Sequence, residues 1–192
     1  MMDRMRLDRW PFTLAVDGWT MSAQHGLPPG YASYRQRAGL CDEFDLRSDQ
    51  GDCCFVAVTR ADESRPRLVL AERYEPCGES GFRPGVAFVP ETAVLFVGAG
   101  TRLLAYTLLD RPERLWEDAT YPGFWGWSVH KSVVLMAAEL EFTAWTKNGE
   151  KLWTAFVEPP WSYQVVGERV ELDVMGNITE FPVSSGPEVI QR

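Results

Sequence analysis

Histidine and lysine are nearly missing from this chain. Its 192 residues hold two histidines, His25 and His130, and three lysines, Lys131, Lys147 and Lys151. A His-rich metal centre needs more imidazoles, and a catalytic triad needs one with partners at hand. His25 lies in a Gly/Pro-rich loop without an identifiable partner in the sequence, and His130 lies in a strand between repeats. Long apolar runs are also lacking. None approaches the ~20 residues that span a bilayer, so no membrane helix is expected. The charged opening, Met1-Met2-Asp3-Arg4-Met5-Arg6, has no signal-peptide core, and a cytoplasmic location is expected.

Paired cysteines are absent as well. Cys41, Cys53, Cys54 and Cys77 lack the closely spaced couples of a zinc knuckle, so no metal site is expected. In a reducing compartment they read as free thiols, with adjacent Cys53 and Cys54 on opposite faces of a strand. Positive charge is in deficit: 27 acidic residues against 19 basic ones give a net charge of −8. Nucleic-acid and anionic-membrane partners need clustered Lys and Arg, and are excluded as expectations. Acidity is compatible with a cationic partner. No cofactor motif is present, and no cofactor is expected.

What is present is a repeat. Val94-Leu95-Phe96-Val97 opens a stretch closing on Arg114-Leu115-Trp116, and Val133-Val134-Leu135-Met136 opens one closing on Lys151-Leu152-Trp153. Each closing Trp precedes the next apolar opener, Val133 or Val170, by 17 residues (133 − 116 and 170 − 153). A period of roughly 37–39 residues suits a four-stranded antiparallel unit made for stacking. Leu103-Leu104-Ala105-Tyr106-Thr107 aligns with Phe142-Thr143-Ala144-Trp145-Thr146, and Asn148-Gly149 signals a tight turn. No helical periodicity of 3.6 residues stands out. The linkers 122–132 and 159–167 each hold a further short strand.

The run Thr143-Ala144-Trp145-Thr146-Lys147-Asn148-Gly149-Glu150-Lys151-Leu152-Trp153 resembles the PQQ-type β-propeller repeat, over about residues 85–186. Thr146 stands where that family usually has Asp. The resemblance implies a scaffold of four-stranded blades. It implies no quinone site, metal site or catalytic residue, because no family ligand motif matches a position here. The expected fold is all-β: consecutive antiparallel four-stranded repeats in a small or incomplete propeller-like array, with a β-sandwich as the alternative. The expected organisation is an irregular segment 1–43 with short strands, then a β-repeat domain 44–192 with units at about 44–90, 94–132, 133–169 and 170–192. Residues 31–39 read as either a short helix or an extended segment.

The candidate contacts are aromatic and acidic. Trp125, Trp161, Phe124 and Tyr163 lie in or beside Gly/Pro-flanked linkers, where equivalent loops of stacked units gather at one rim. Asp42, Glu43 and Asp45 belong to an acidic cluster before the first strong hairpin, without the spacing of a calcium loop. The expected function is non-enzymatic protein binding. Its concrete form is a bacterial immunity or antitoxin-like protein that neutralises a cationic effector. One alternative is a small-molecule or carbohydrate module using the linker tryptophans. Another is a hydrolase of unknown substrate, with Glu139, Glu141, His130 or Cys54 converging in a pocket.

Overall fold

The computed structural model of the protein describes residues 10–76 and 83–188. The readings that fall on Cys77, the charged opening and a last strand near residue 190 lie outside those residues. The described chain folds into four sheets and one helix. The first sheet contains β1 (Phe12–Val16), β2 (Trp19–His25), β3 (Leu40–Phe44), β4 (Asp52–Arg60) and β5 (Leu68–Tyr74), in the order β1-β2-β4-β5-β3. The second is β6 (Gly85–Val89), β7 (Val94–Ala99), β8 (Arg102–Thr107) and β9 (Glu113–Ala119). The third is β10 (Phe124–Val129), β11 (Val133–Ala138), β12 (Glu141–Thr146) and β13 (Lys151–Phe156). The fourth has three strands, β14 (Trp161–Val166), β15 (Arg169–Val174) and β16 (Asn177–Pro182).

The last three sheets are antiparallel meanders, as the repeat leads one to expect. Their phase differs by one strand from the expected units. Val94, Val133 and Val170 all lie in the second strand of a sheet, and β6, β10 and β14 join the sheet that follows them. The reason is local. Pro122-Gly123 and Pro159-Pro160 break the chain before β10 and β14, so each linker strand is cut off from the sheet before it and opens the next.

The boundary expected at residue 43 is also displaced. β1, β2 and β3 share a sheet with β4 and β5: β4 is hydrogen-bonded between β2 and β5 and is buried on both faces, the position of a central strand. Helix α1 (Tyr31–Arg37) settles residues 31–39. It crosses from β2 to β3, and such a crossover is what lets β3 pair with β5 in parallel.

The sheets stack face to face in chain order. Met21, Val56 and Leu70 of the first meet Leu95, Val97 and Leu104 of the second. Phe96 and Leu103 of the second meet Val134, Met136 and Trp145 of the third. Leu135, Phe142 and Trp153 of the third meet Val170, Leu172 and Phe181 of the fourth. Among the described residues no buried cluster joins the first sheet to the fourth, so the array is open. Its two ends are finished differently. Tyr31 and Tyr34 of α1 pack edge-on against Phe55 of the first sheet. The outer face of the fourth is mixed: Ser162, Gln164 and Glu180 share it with the exposed Val166 and Ile178.

Small donors tie each sheet to the next. Arg67 Nη1 donates to the carbonyls of Leu108 and Leu109 at 3.0 Å. Trp116 Nε1 donates to Gly149 O at 2.6 Å, and Trp153 Nε1 donates to Val183 O at 2.8 Å. The repeated basic-Leu-Trp ending is a β-bulge. Ala105 pairs with Trp116 and Tyr106 with Arg114, which skips Leu115. Ala144 pairs with Trp153 and Trp145 with Lys151, which skips Leu152. The extra residue turns the Trp onto the next sheet. No helix of the described residues is long and apolar enough to cross a membrane.

Candidate functional site: an acidic cleft between the first two sheets

The four aromatic candidates are divided between packing and surface. Phe124 is 1 % exposed, under Gly85 and Gly98. A Cβ at Gly98 would stand 2.6 Å from its ring, so glycine there is a condition of the packing, and Phe124 offers no surface to a partner. Trp161 is buried, stacks on Trp125 at 5.2 Å and donates its indole N–H to Glu139 O at 3.0 Å. Trp125 and Tyr163 are half-buried beside it. The Tyr163 ring lies 4.5 Å from Phe142, and its hydroxyl is 2.7 Å from Ser128 Oγ. The group therefore welds the third sheet to the fourth.

The acidic candidates face two ways, because successive side chains of a strand alternate. On β3, Asp42 points to the second sheet. It accepts a hydrogen bond from Tyr106 Oη at 2.9 Å and pairs with Arg114 at 3.3 Å. Glu43 points the other way, to α1, accepting from Tyr31 Oη at 2.6 Å and pairing with Arg35 at 3.2 Å. Asp45 follows the strand in the left-handed region, with φ 54°, and accepts from Arg102 at 3.1 Å.

Asp45 stands at the edge of a cleft of about 970 Å³. The cleft opens where β5 and the end of β3 face β8 and β9. Among the described residues five carboxylates line it (Asp45, Glu72, Glu75, Glu117 and Asp118), against two guanidiniums, Arg73 and Arg102. Tyr121, 78 % exposed, stands at its mouth. Lys151 of the third sheet forms an ion pair with Asp118.

Glu72 is the unusual member. It sits on the inward face of β5 in step with Leu68, Leu70 and Tyr74, where an apolar residue is the norm. Its side chain is 1 % exposed. Oε1 accepts from Arg102 Nη1 at 3.1 Å, and Oε2 is buried with no hydrogen-bond partner among the described residues. Burial pushes its carboxyl up to about 7, against the pull of the Arg102 charge.

Arg102 is shared three ways. Nε reaches Glu117 at 3.0 Å, Nη1 and Nη2 reach Asp45 at 3.1 Å, and Nη1 also reaches Glu72. Both Arg102 and Arg114 lie over the Phe44 ring, at 4.5 and 5.2 Å. Reading the acidic cluster from the chain finds Asp42 and Asp45 but not Glu72, Arg102 or Glu117. Those partners lie tens of residues away.

The residues of the hydrolase alternative do not converge. Cys54 is fully buried in the first sheet, and burial raises its thiol well above the usual range, away from thiolate chemistry. His130, Glu139 and Glu141 belong to the third sheet. His130 precedes β11 and Glu139 follows it, so a strand of roughly 20 Å separates them. Cys53 and Cys54 do face opposite ways, half-buried and buried. Among the described residues no group of three or more His, Cys, Asp or Glu is placed to hold a metal ion.

No protein-family model and no curated protein matches the chain. Among solved structures it is similar to the computationally designed Ika8 protein, at 11 % identity and a TM-score of 0.44. That match covers 91 % of this chain and 58 % of the designed one, and nothing about function follows from it.

Proposed function

We propose that this chain is a non-catalytic binding module whose acidic cleft receives a cationic segment of another protein. The observation that carries the reading is Glu72: among the described residues, a buried carboxyl with one unpartnered oxygen, beneath a cleft where carboxylates outnumber guanidiniums. Buried polar atoms are almost always satisfied, so an acceptor left without a donor among the described residues, while Arg102 beside it is divided among three carboxylates, marks a cleft short of positive charge. The overall charge of −8 would speed the approach of a basic partner. An immunity or antitoxin-like protein that occludes a basic effector is the concrete form of this reading. The carbohydrate alternative has less support, because Trp161 already covers one face of Trp125.

Fluorescence anisotropy with labelled hexalysine and hexaarginine tests the reading. Binding should weaken as salt rises from 50 to 300 mM, and the double variant Asp45→Asn/Glu117→Gln should lose about tenfold in affinity. Equal affinity in the wild type and the double variant would place the binding elsewhere and remove the cleft from the argument.

A further inference from the structure

We infer that the cleft exchanges a proton for a side-chain ammonium: a lysine-type cation seats on Asp45 and Glu117, and Arg102 then closes on both oxygens of Glu72, whose proton leaves to solvent. The inference rests on the reading above and adds the ligand class and the coupled event.

The argument begins with Arg102. One guanidinium serves three carboxylates, all at 3.0–3.1 Å. With every carboxylate ionised, that group carries a net charge of −2, two of its members being at the cleft surface. Asp45 is 62 % exposed and Glu117 41 %, whereas Glu72 lies beneath them. A cation arriving from solvent therefore meets Asp45 and Glu117 first. When it takes them over, the donors that Arg102 had lent to both are released. Glu72 Oε2 is an acceptor without a donor among the described residues, on the carboxyl that Arg102 already holds by Oε1. A two-pronged Arg–carboxylate pair is stronger than a single contact and requires the ionised form. The proton that Glu72 carries part of the time near neutrality is then expelled.

An ammonium suits the seat better than a guanidinium. The two acceptors come from different segments, Asp45 after β3 and Glu117 on β9, and the fork of Arg102 already spans them, so a second planar fork would have to replace it bond for bond. A compact ammonium with three diverging donors can bridge them at the end of a flexible stem. The exposed Tyr121 ring at the mouth is placed to pack along that stem.

The groups facing Glu72 limit what else could titrate. From β5 comes Tyr74, and from β4 comes Cys54, its register partner. Burial holds both above their ordinary ranges. From β3 come Phe44 and Asp42, from the turn after it Asp45, from β8 Arg102 and Tyr106, and from β9 Arg114 and Glu117. His25 of β2 pairs in register with Cys54, one strand further away, and its ring lies tilted against Trp10 at 5.5 Å. His25 is therefore the control.

The experiment is calorimetric titration of the full chain with hexalysine, at pH 7, in buffers of different ionisation enthalpy. About half a proton should be released per ligand bound, and binding should be about tenfold tighter at pH 8 than at pH 6. Glu72→Gln should abolish the release and flatten the pH profile, while His25→Asn should change neither. Hexalysine binding without proton release, or release that persists in Glu72→Gln, overturns the inference and leaves the cleft reading standing. If Glu72→Gln fails to fold, the wild-type buffer series decides alone, and zero release is the overturning result. Equal or tighter binding of hexaarginine with the same release overturns the choice of ammonium. Release seen also with n-butylamine supports the same chemistry from a free amine; release with hexalysine alone supports it from a protein side chain. Failure of both peptides to bind overturns this inference and the cleft reading together.

Discussion

Glu72 costs the fold something that a neutral residue would not. Its carboxyl titrates near 4.5 in an exposed chain and near 7 in the folded one. The native state therefore binds the extra proton between those values. The stability that the protonated form contributes is fully present below about 4.5 and is lost as pH rises through about 7. At 1.36 kcal/mol per pH unit the loss is about 3 kcal/mol. Glu72→Gln imitates the protonated form and should lack that slope. Urea unfolding at pH 5, 6, 7 and 8 should show wild type losing stability relative to the variant as pH rises; parallel profiles would contradict the assignment. This residue was legible in principle. In Leu68-Val69-Leu70-Ala71-Glu72-Arg73-Tyr74, strand alternation puts Glu72 on the same face as Leu68, Leu70 and Tyr74. A charge in step with an apolar stripe marks either a satisfied core ion or a site. The chain cannot say which, because Arg102 lies thirty positions further on.

At the scale of the element, the repeated Trp and the turn it grips form one device. Gly149 faces Leu115 and Trp116, and Gly186 faces Trp153, with a Cβ at Gly186 falling 2.4 Å from that ring. Both glycines have positive φ. Gly186→Ala combines backbone strain with a clash against a buried indole, and should cost about 3 kcal/mol or more. Gly176 shares the positive φ but has nothing within 4 Å, so Gly176→Ala should cost about 1–2 kcal/mol. Comparing the two midpoints in denaturant isolates the Trp153 contact, and equal losses would mean that the ring yields freely. Trp153→Phe keeps most of the apolar area but strips the Val183 carbonyl of its donor. A loss of about 1–3 kcal/mol is expected, with hydrogen exchange quickening first in β15 and β16. The Arg/Lys-Leu-Trp signal was visible in the chain, and the pitch of the repeat with it. Its function as a bulge was not, since a skipped residue shows only once pairing partners are known. The one-strand phase error has the same origin: periodicity gives the spacing of equivalent strands and is silent on which linker strand joins which sheet.

For the whole molecule, contact between sheets runs from each to its neighbour. Stability in such an array is a sum of sheet terms and interface terms. The first 43 residues were the least readable. Their strands are short, and one of them, β3, reaches its place through a helical crossover that no local pattern announces. The open ring and the asymmetric ends depend on which faces stay unpaired, which is a property of the assembled stack.

Arg67, Trp116 and Trp153 each donate from an earlier sheet to a later one, and Trp161 of the fourth sheet donates back to Glu139 O of the third. Among the described residues the fourth sheet packs on its predecessor alone. Pulled by optical tweezers from handles at residues 10 and 188, the molecule should give way as a staircase. The earliest step should lengthen the tether by the roughly thirty residues of that last sheet, with each later rip coming from the unit behind it.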